Sequence, residues 1–134
     1  MQQTIKFLIR LFAGGLSVWF GMIKLNGGQF TPTSVKIENI KNVHSPEMVF
    51  LFFGNSGLYI WTIGLFQLLG GLLLVNDKTQ IIGAIICLVI FSNIMIINYS
   101  FHFNTSLVIF MSIPNICCIL TLLFERKRLT NLLI

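Results

Sequence analysis

Three long stretches of this 134-residue sequence contain no charged residue. They run from Leu11 to Ile23, from Met48 to Asn76 and from Thr79 to Phe124. A helix on the surface of a soluble protein carries charged and polar side chains along one face. The hydrocarbon core of a bilayer, about 30 Å thick, is instead crossed by ~20 predominantly apolar residues. The uncharged stretches therefore predict membrane-spanning helices.

The composition agrees, because only 10% of the residues are charged and the mean hydropathy is +0.87. Ordinary soluble domains carry roughly 25% charged residues. The last stretch is too long for one span and breaks near the polar residues 102–105. We expect an all-α fold, a four-helix transmembrane bundle that forms a single domain over 1–134. Its predicted spans are about 5–25, 56–76, 79–101 and 105–124.

The first span has a basic start, so a signal peptide is the alternative to a retained helix. Its apolar stretch is long for a signal peptide, and no small-x-small cleavage site follows it, which favours the retained helix.

The cations are distributed unevenly if the spans alternate in direction. One side receives Lys6, Arg10, Lys78, Arg126, Lys127 and Arg128, and the other receives Lys24, Lys36 and Lys41. The positive-inside rule then places both termini in the cytoplasm and the loop 26–55 outside. The short cluster 125–128 suits anionic lipid head groups. It is too short to indicate a nucleic-acid partner.

The outer loop contains the pattern of a short helix. Ser45 is its expected N-cap, Pro46 its first residue, and Glu47 an acid in the first turn, with Gly54 just past the end. The six residues 48–53 are apolar but cannot span a bilayer. We expect them to lie in the membrane interface or in the outer mouth of the bundle.

Small residues mark the inner face of the first span. Gly14, Ser17 and Gly21 share one side of a helix, where they would let a neighbouring backbone approach closely. Trp19 is too deep for an interfacial position, so we expect it to pack against a neighbouring helix. The three cysteines, at 87, 117 and 118, form no CxxC motif and are interpreted as small apolar core residues, with a redox or metal role as the alternative.

Five polar residues in or beside the spans are candidates for ligand binding: Lys24, Gln67, Asn93, Asn98 and His102. Polar groups are costly in hydrocarbon and often mark functional sites. Asn98 and His102 are four residues apart and are predicted to share a helix face that opens, with Lys24, into an outer pocket. The alternative is that the amides only hydrogen-bond between helices and that His102 is a wet interfacial residue. Gln67 is expected to bond across the bundle. No sequence pattern predicts a metal site or a catalytic residue.

Several of these positions follow a family pattern. The run from "GQFTPTS" through "SPEMVFLFFGNSGLYIWTIGLFQLLGGLLL" to "DKTQIIGAIICLVIFSNIMIINYSFHFNTS" resembles the DoxX-like family of small bacterial four-span membrane proteins. The matching positions are Ser45, Pro46, Gly64, Gly70, Gly71, Leu72 to Leu74, Thr79, Gly83, Asn93 and Asn98. The resemblance implies a four-helix membrane bundle, and some relatives are linked to quinone-coupled redox systems.

This sequence departs from the family at its ionisable positions. Gln67 stands where the family usually has a glutamate, and His102 stands where it has an aspartate. Ser106 and Met111 replace an expected lysine and histidine. The scaffold is kept while the groups that would move protons are largely lost.

Three functions stay open. The leading one is a non-catalytic accessory or structural membrane protein, with a membrane protein or a second copy as partner in the lipid bilayer. The second is a quinone-linked oxidoreductase component, whose quinone would contact Lys24, Asn98 and His102. Its walls would be the aromatic rings at 50, 52, 53 and 61. The third is a small-solute carrier or channel formed by an oligomer.

Overall fold

A computed structural model describes residues 2–27 and 45–133, and every regular element in these two ranges is an α-helix. Four of its helices, the first, third, fourth and fifth, are long and apolar enough to cross a membrane. In chain order the helices are α1 (Gln2–Leu25), α2 (Pro46–Asn55), α3 (Gly57–Val75), α4 (Gln80–Ser100), α5 (Thr105–Phe124) and α6 (Arg126–Leu133). The four predicted spans are confirmed, while α6 was not anticipated.

Short connections make consecutive spanning helices antiparallel from α3 to α5. The bundle therefore has two ends. The α2 end holds the last turn of α1, helix α2 and the turn at 101–104. The α6 end holds the start of α1, the turn at 76–79 and helix α6.

Helices α1 and α3 form the most extensive helix pair. A Cβ atom added at Gly71 would lie 2.5 Å from the carbonyl oxygen of Gly14, and one added at Gly21 would lie 2.7 Å from the carbonyl oxygen of Gly64. The two backbones are thus in direct contact at two levels. The predicted inward face of α1 is confirmed, because its small residues are all buried.

The remaining spans pack around this pair. A Cβ atom at Gly83 of α4 would overlap the backbone of Leu74, so α4 also approaches α3 closely. Between α4 and α5, the Ser92 hydroxyl donates to Oδ1 of Asn115 at 3.0 Å. Buried apolar residues of four helices fill the centre: Ala13, Leu74, Ala84, Cys87, Phe91, Met111 and Cys118. The three cysteines are free.

Two arginines join the helices at the α6 end through an ion pair and hydrogen bonds. Arg10 is only 5% exposed, and its guanidinium donates to Oε1 of Gln80 at 2.7 Å and pairs with Asp77 at 2.5 Å. Arg128 donates to the backbone carbonyls of Asp77 and Lys78, both at 2.9 Å. These contacts tie α1 and α6 to the turn between α3 and α4. Sequence analysis used Arg10 only as a topology signal and missed this role.

Helix α2 begins as predicted, with Ser45 in the N-cap position and Pro46 in the first turn, although the Ser45 side chain makes no capping bond. Instead the Ser45 hydroxyl lowers the pKa of Glu47 by hydrogen bonding to its carboxylate. The predicted end was wrong, because the helix continues through Gly54 to Asn55.

Trp19 also differs from its prediction. It is 65% exposed and faces away from the bundle. The glycine-lined side of α1 faces α3, so Trp19 falls on the opposite, lipid-facing side of the helix.

The backbone contact between α1 and α3 generates a prediction. Gly71→Ala should lower the free energy of unfolding by about 1–3 kcal/mol, because its methyl group meets backbone atoms that cannot move independently. Gly15→Ala is the matched control, since its methyl group would meet nothing within 4 Å. Unfolding by SDS titration in mixed micelles measures both variants. Equal stabilities for Gly71→Ala and Gly15→Ala would contradict the close approach.

The contacts of Arg10 at the α6 end generate a second prediction. A double-mutant cycle with Arg10→Met and Gln80→Leu should give a coupling energy of about 1.5–3 kcal/mol, as expected for a buried hydrogen bond to a charged group. The same SDS titration applies. Additive effects of the two substitutions would show that the Arg10–Gln80 contact contributes nothing to stability.

Candidate functional site

A cavity of about 520 Å³ lies at the α2 end, bounded by all four spanning helices and by α2. Its lining comprises Phe20, Ile23, Lys24, Val49, Phe50, Phe53, Tyr59, Ile60, Ile63, Val89, Ile90, Asn93, Ile94, Ile97, Asn98, Phe103, Leu107, Phe110 and Met111. Ligand-binding pockets typically have volumes of about 300–1,000 Å³ and mostly apolar walls with few polar groups. The cavity has both properties.

Three of the five predicted site residues meet in this cavity. Lys24 enters from the last turn of α1, and Asn93 and Asn98 enter from the second half of α4. Tyr59 of α3 adds a phenol. Sequence analysis did not select Tyr59, because the residue lies beside apolar neighbours near a helix start.

Lys24 is the most unusual of these residues. It is 5% exposed, and its nearest electrostatic contact is the ring of Phe20, with Nζ 5.5 Å from the ring centroid. Within the described ranges no carboxylate lies within ion-pair distance of it. Gly64 makes room for the side chain, since a Cβ atom there would lie 3.1 Å from Cβ of Lys24. The glycine contact between α1 and α3 thus fixes where the lysine stem can lie.

The side chains of Asn93 and Asn98 also lack partners among the described residues. Neither side-chain amide takes part in a hydrogen bond among the residues that the structure describes, whereas Asn104 and Asn115 both do. Apart from the Tyr59 phenol, two carboxamides and one ammonium are thus the polar groups of a cavity that is otherwise apolar.

Helix α2 supplies the outer wall. Phe53 stacks on Tyr59 with centroids 5.2 Å apart, and Phe50 contacts Phe103 at 6.0 Å. Of the four aromatic residues predicted as walls, Phe50 and Phe53 line the cavity. Phe52 and Trp61 do not line it and are mostly exposed.

His102 does not join the cavity, which corrects the predicted pairing with Asn98. Helix α4 ends at Ser100, so the four-residue helical spacing does not reach His102. The backbone turns there: the Phe103 amide donates to the Asn98 carbonyl at 2.9 Å. His102 itself has a φ of 54° and is exposed.

Gln67 lies apart from the cavity, one helical turn from Ile63 toward the α6 end. It is fully buried, yet neither its amide nitrogen nor its amide oxygen has a hydrogen-bond partner among the described residues. The predicted bond across the bundle is made by its backbone instead, since the Ser17 hydroxyl donates to the Gln67 carbonyl at 2.8 Å. The prediction for its side chain was wrong.

Comparisons with known proteins give one similar sequence. The chain is 28% identical over 128 residues to the uncharacterized protein YwoB of Bacillus subtilis (strain 168), covering 96% of this chain and 81% of that protein. No family model matches the sequence. No solved structure matches it either. The similarity extends over nearly all of the chain, and the relative's name assigns no activity.

The unpartnered amide of Gln67 generates a prediction. Gln67→Met should raise the free energy of unfolding by about 1–3 kcal/mol, because a buried polar group without partners is replaced by an apolar chain of similar length. Ser17→Ala, which removes the hydroxyl that bonds to the Gln67 carbonyl, should lower it. SDS titration measures both. A loss of stability in Gln67→Met would mean that the amide has a partner that the described residues do not provide.

Proposed function

We propose that this protein is a non-catalytic accessory membrane protein of the DoxX-like type, and that it binds a lipid-soluble ligand in the cavity at the α2 end. The observation that carries the proposal is a cavity of about 520 Å³ that is lined mostly by apolar side chains and, among them, by the polar side chains of Lys24, Tyr59, Asn93 and Asn98. A bundle with only a structural role gains nothing from such a space, because unfilled volume costs packing energy.

The distribution of acidic residues supports binding over turnover. Of the described acids, Glu47 is exposed on α2, and Asp77 and Glu125 lie at the α6 end. The cavity therefore has no carboxylate from the described residues to accept a proton. Reactions that move protons in membranes generally rely on ionisable groups facing the pathway.

A quinone-linked oxidoreductase component is the second candidate. The observation that favours it is the set of aromatic rings, Phe50, Phe53 and Tyr59, beside the donors of Lys24 and Asn98. Aromatic rings stack on a quinone ring, and such donors bond to its two carbonyl oxygens. Reduction to the quinol takes two electrons and two protons, so a partner protein would supply the electrons.

Binding is tested with the protein in nanodiscs of zwitterionic lipid, using a neutral photoreactive probe, dodecanol carrying a diazirine. The proposal predicts labelled peptides from the cavity lining. Ile97→Trp, which narrows the cavity with a larger lining side chain, should reduce this labelling by about tenfold, the loss expected when about 1.4 kcal/mol of binding is removed. Ile96→Trp is the matched control, because Ile96 is mostly exposed and does not line the cavity.

The labelling has two outcomes that decide the proposal. Cavity peptides labelled in the native protein and in Ile96→Trp but not in Ile97→Trp would support it. Labelling confined to lipid-facing residues in all three proteins would overturn it. Displacement of the probe by a short-chain quinone, but not by dodecanol, would instead favour the quinone-linked component.

We further propose that both termini face the cytoplasm of a bacterial inner membrane. Support comes from the α6 end, which carries Lys6, Arg10, Lys78, Arg126, Lys127 and Arg128, while Lys24 lies at the α2 end. A C-terminal fluorescent protein that matures only in the cytoplasm should fluoresce, and an alkaline phosphatase fused at the same point should be inactive. The reverse pattern would contradict this orientation.

A further inference from the structure

We infer that the ligand of the cavity is a single-chain amphiphile with an oxyanion head, a carboxylate or a phosphate monoester, which pairs with Lys24. The inference rests on the proposed binding function and names the chemical class of the ligand. It is carried by Lys24, whose side chain is 5% exposed, lines the cavity and lacks an acidic partner among the described residues.

An unpaired ammonium is costly in an apolar site. Lysines near the end of a spanning helix commonly avoid this cost by extending to the interface. Lys24 does not, since 95% of its surface is covered, and the contact with the Phe20 ring compensates only part of the lost hydration. A negative charge in the cavity would supply the missing partner.

The acids present do not fill this role. Glu47 is exposed, and Asp77 and Glu125 pair with Arg10 and Lys6 at the opposite end of the bundle. The fourth acid of the sequence, Glu38, lies outside the described residues, so a variant at this position belongs in the test.

The amides that line the same cavity as Lys24 suit an oxyanion. Asn98 and Asn93 each bring an NH₂ group with no other partner among the described residues. A carboxylate or phosphate accepts several hydrogen bonds at once, and bonds to a charged acceptor are about twice as strong as neutral ones. A neutral alcohol or quinone would leave the ammonium without a counter-charge.

The rest of the cavity suits an alkyl chain. Its lining continues along α4 from Asn98 to Val89, nine residues or about 14 Å along the helix axis. Apart from Asn93 this length of the lining is apolar. Val89 is 60% exposed although it lines the cavity, so the space opens at the middle of the spanning helix and not only at its end. A chain can therefore enter from the bilayer while its head stays near Lys24.

Competition against the photoreactive dodecanol tests the inference in the same nanodiscs. Four competitors share one chain length: dodecanoate, dodecyl phosphate, dodecanol and dodecyltrimethylammonium, each expressed as its mole fraction in the bilayer. At least one of the two anions should displace the probe at a concentration about tenfold or more below that of dodecanol, as expected for a hydrogen bond to a charged group. Dodecyltrimethylammonium should be the weakest competitor.

Variants assign the effect to the lysine. In Lys24→Gln, the concentration at which the anions displace the probe should come within about threefold of that of dodecanol, a difference below 1 kcal/mol. In Lys24→Arg, the anions should still displace the probe at the lower concentration. Lys78→Gln is the control for charge, because Lys78 is exposed at the α6 end. Glu38→Gln should leave the anion preference intact or strengthen it.

The outcomes separate the two proposals. A probe that fails to label the cavity overturns the binding function itself. A probe that labels the cavity but is displaced equally by dodecanol and both anions, or an anion preference that survives in Lys24→Gln, overturns only the anionic ligand. A preference for dodecanoate over dodecyl phosphate identifies a fatty acid as the source of the oxyanion, and the opposite preference identifies a lipid phosphate.

Discussion

The backbone contact between α1 and α3 determines the geometry of the rest of the molecule. Glycines on both helices meet at two levels, and no side chain separates the chains there. In lipid, where apolar surface gains little from burial, such contacts and the hydrogen bonds that accompany them supply much of the helix association. The Ser17 hydroxyl adds one of these bonds, to the Gln67 carbonyl.

This contact also explains the position of Lys24. The lysine follows Gly21 by three residues on α1 and lies over Gly64 of α3, where an added Cβ atom would lie 3.1 Å from its own Cβ. A larger residue at Gly21 would meet the backbone of α3, and one at Gly64 would press on the lysine stem. The same small residues that hold the bundle together therefore hold a cation inside it, and the cavity beside that cation is the place where a negatively charged ligand would be stabilised.

The fold was largely predictable because the four spans depend on local properties. An uncharged stretch of sufficient length predicts a spanning helix without any knowledge of its neighbours, and α3, α4 and α5 begin and end within one residue of the predicted positions. The α1 side of the α1–α3 contact was predictable too, since Gly14, Ser17 and Gly21 recur at helical spacing. The hydrogen bond and ion pair of Arg10 were missed, because their partners lie in and beside a turn nearly seventy residues away.

The site was less predictable, because one error came from where a helix ends and the others from contacts between distant parts of the chain. Asn98 and His102 were paired by helical spacing, but α4 ends between them. Gln67 was expected to bond through its amide, yet the approach of α1 places a backbone bond there instead. Lys24, Asn93 and Asn98 do meet in one cavity, while the walls from Phe53 and Tyr59 depend on how α2 packs.

The most direct test of the anionic ligand is native mass spectrometry of the protein purified from its membrane in a mild detergent, followed by fragmentation of any bound species. The native protein should retain one anionic single-chain amphiphile per chain, and Lys24→Gln should lose it while staying folded. A bound species that is neutral, or one retained equally by Lys24→Gln, would contradict the account.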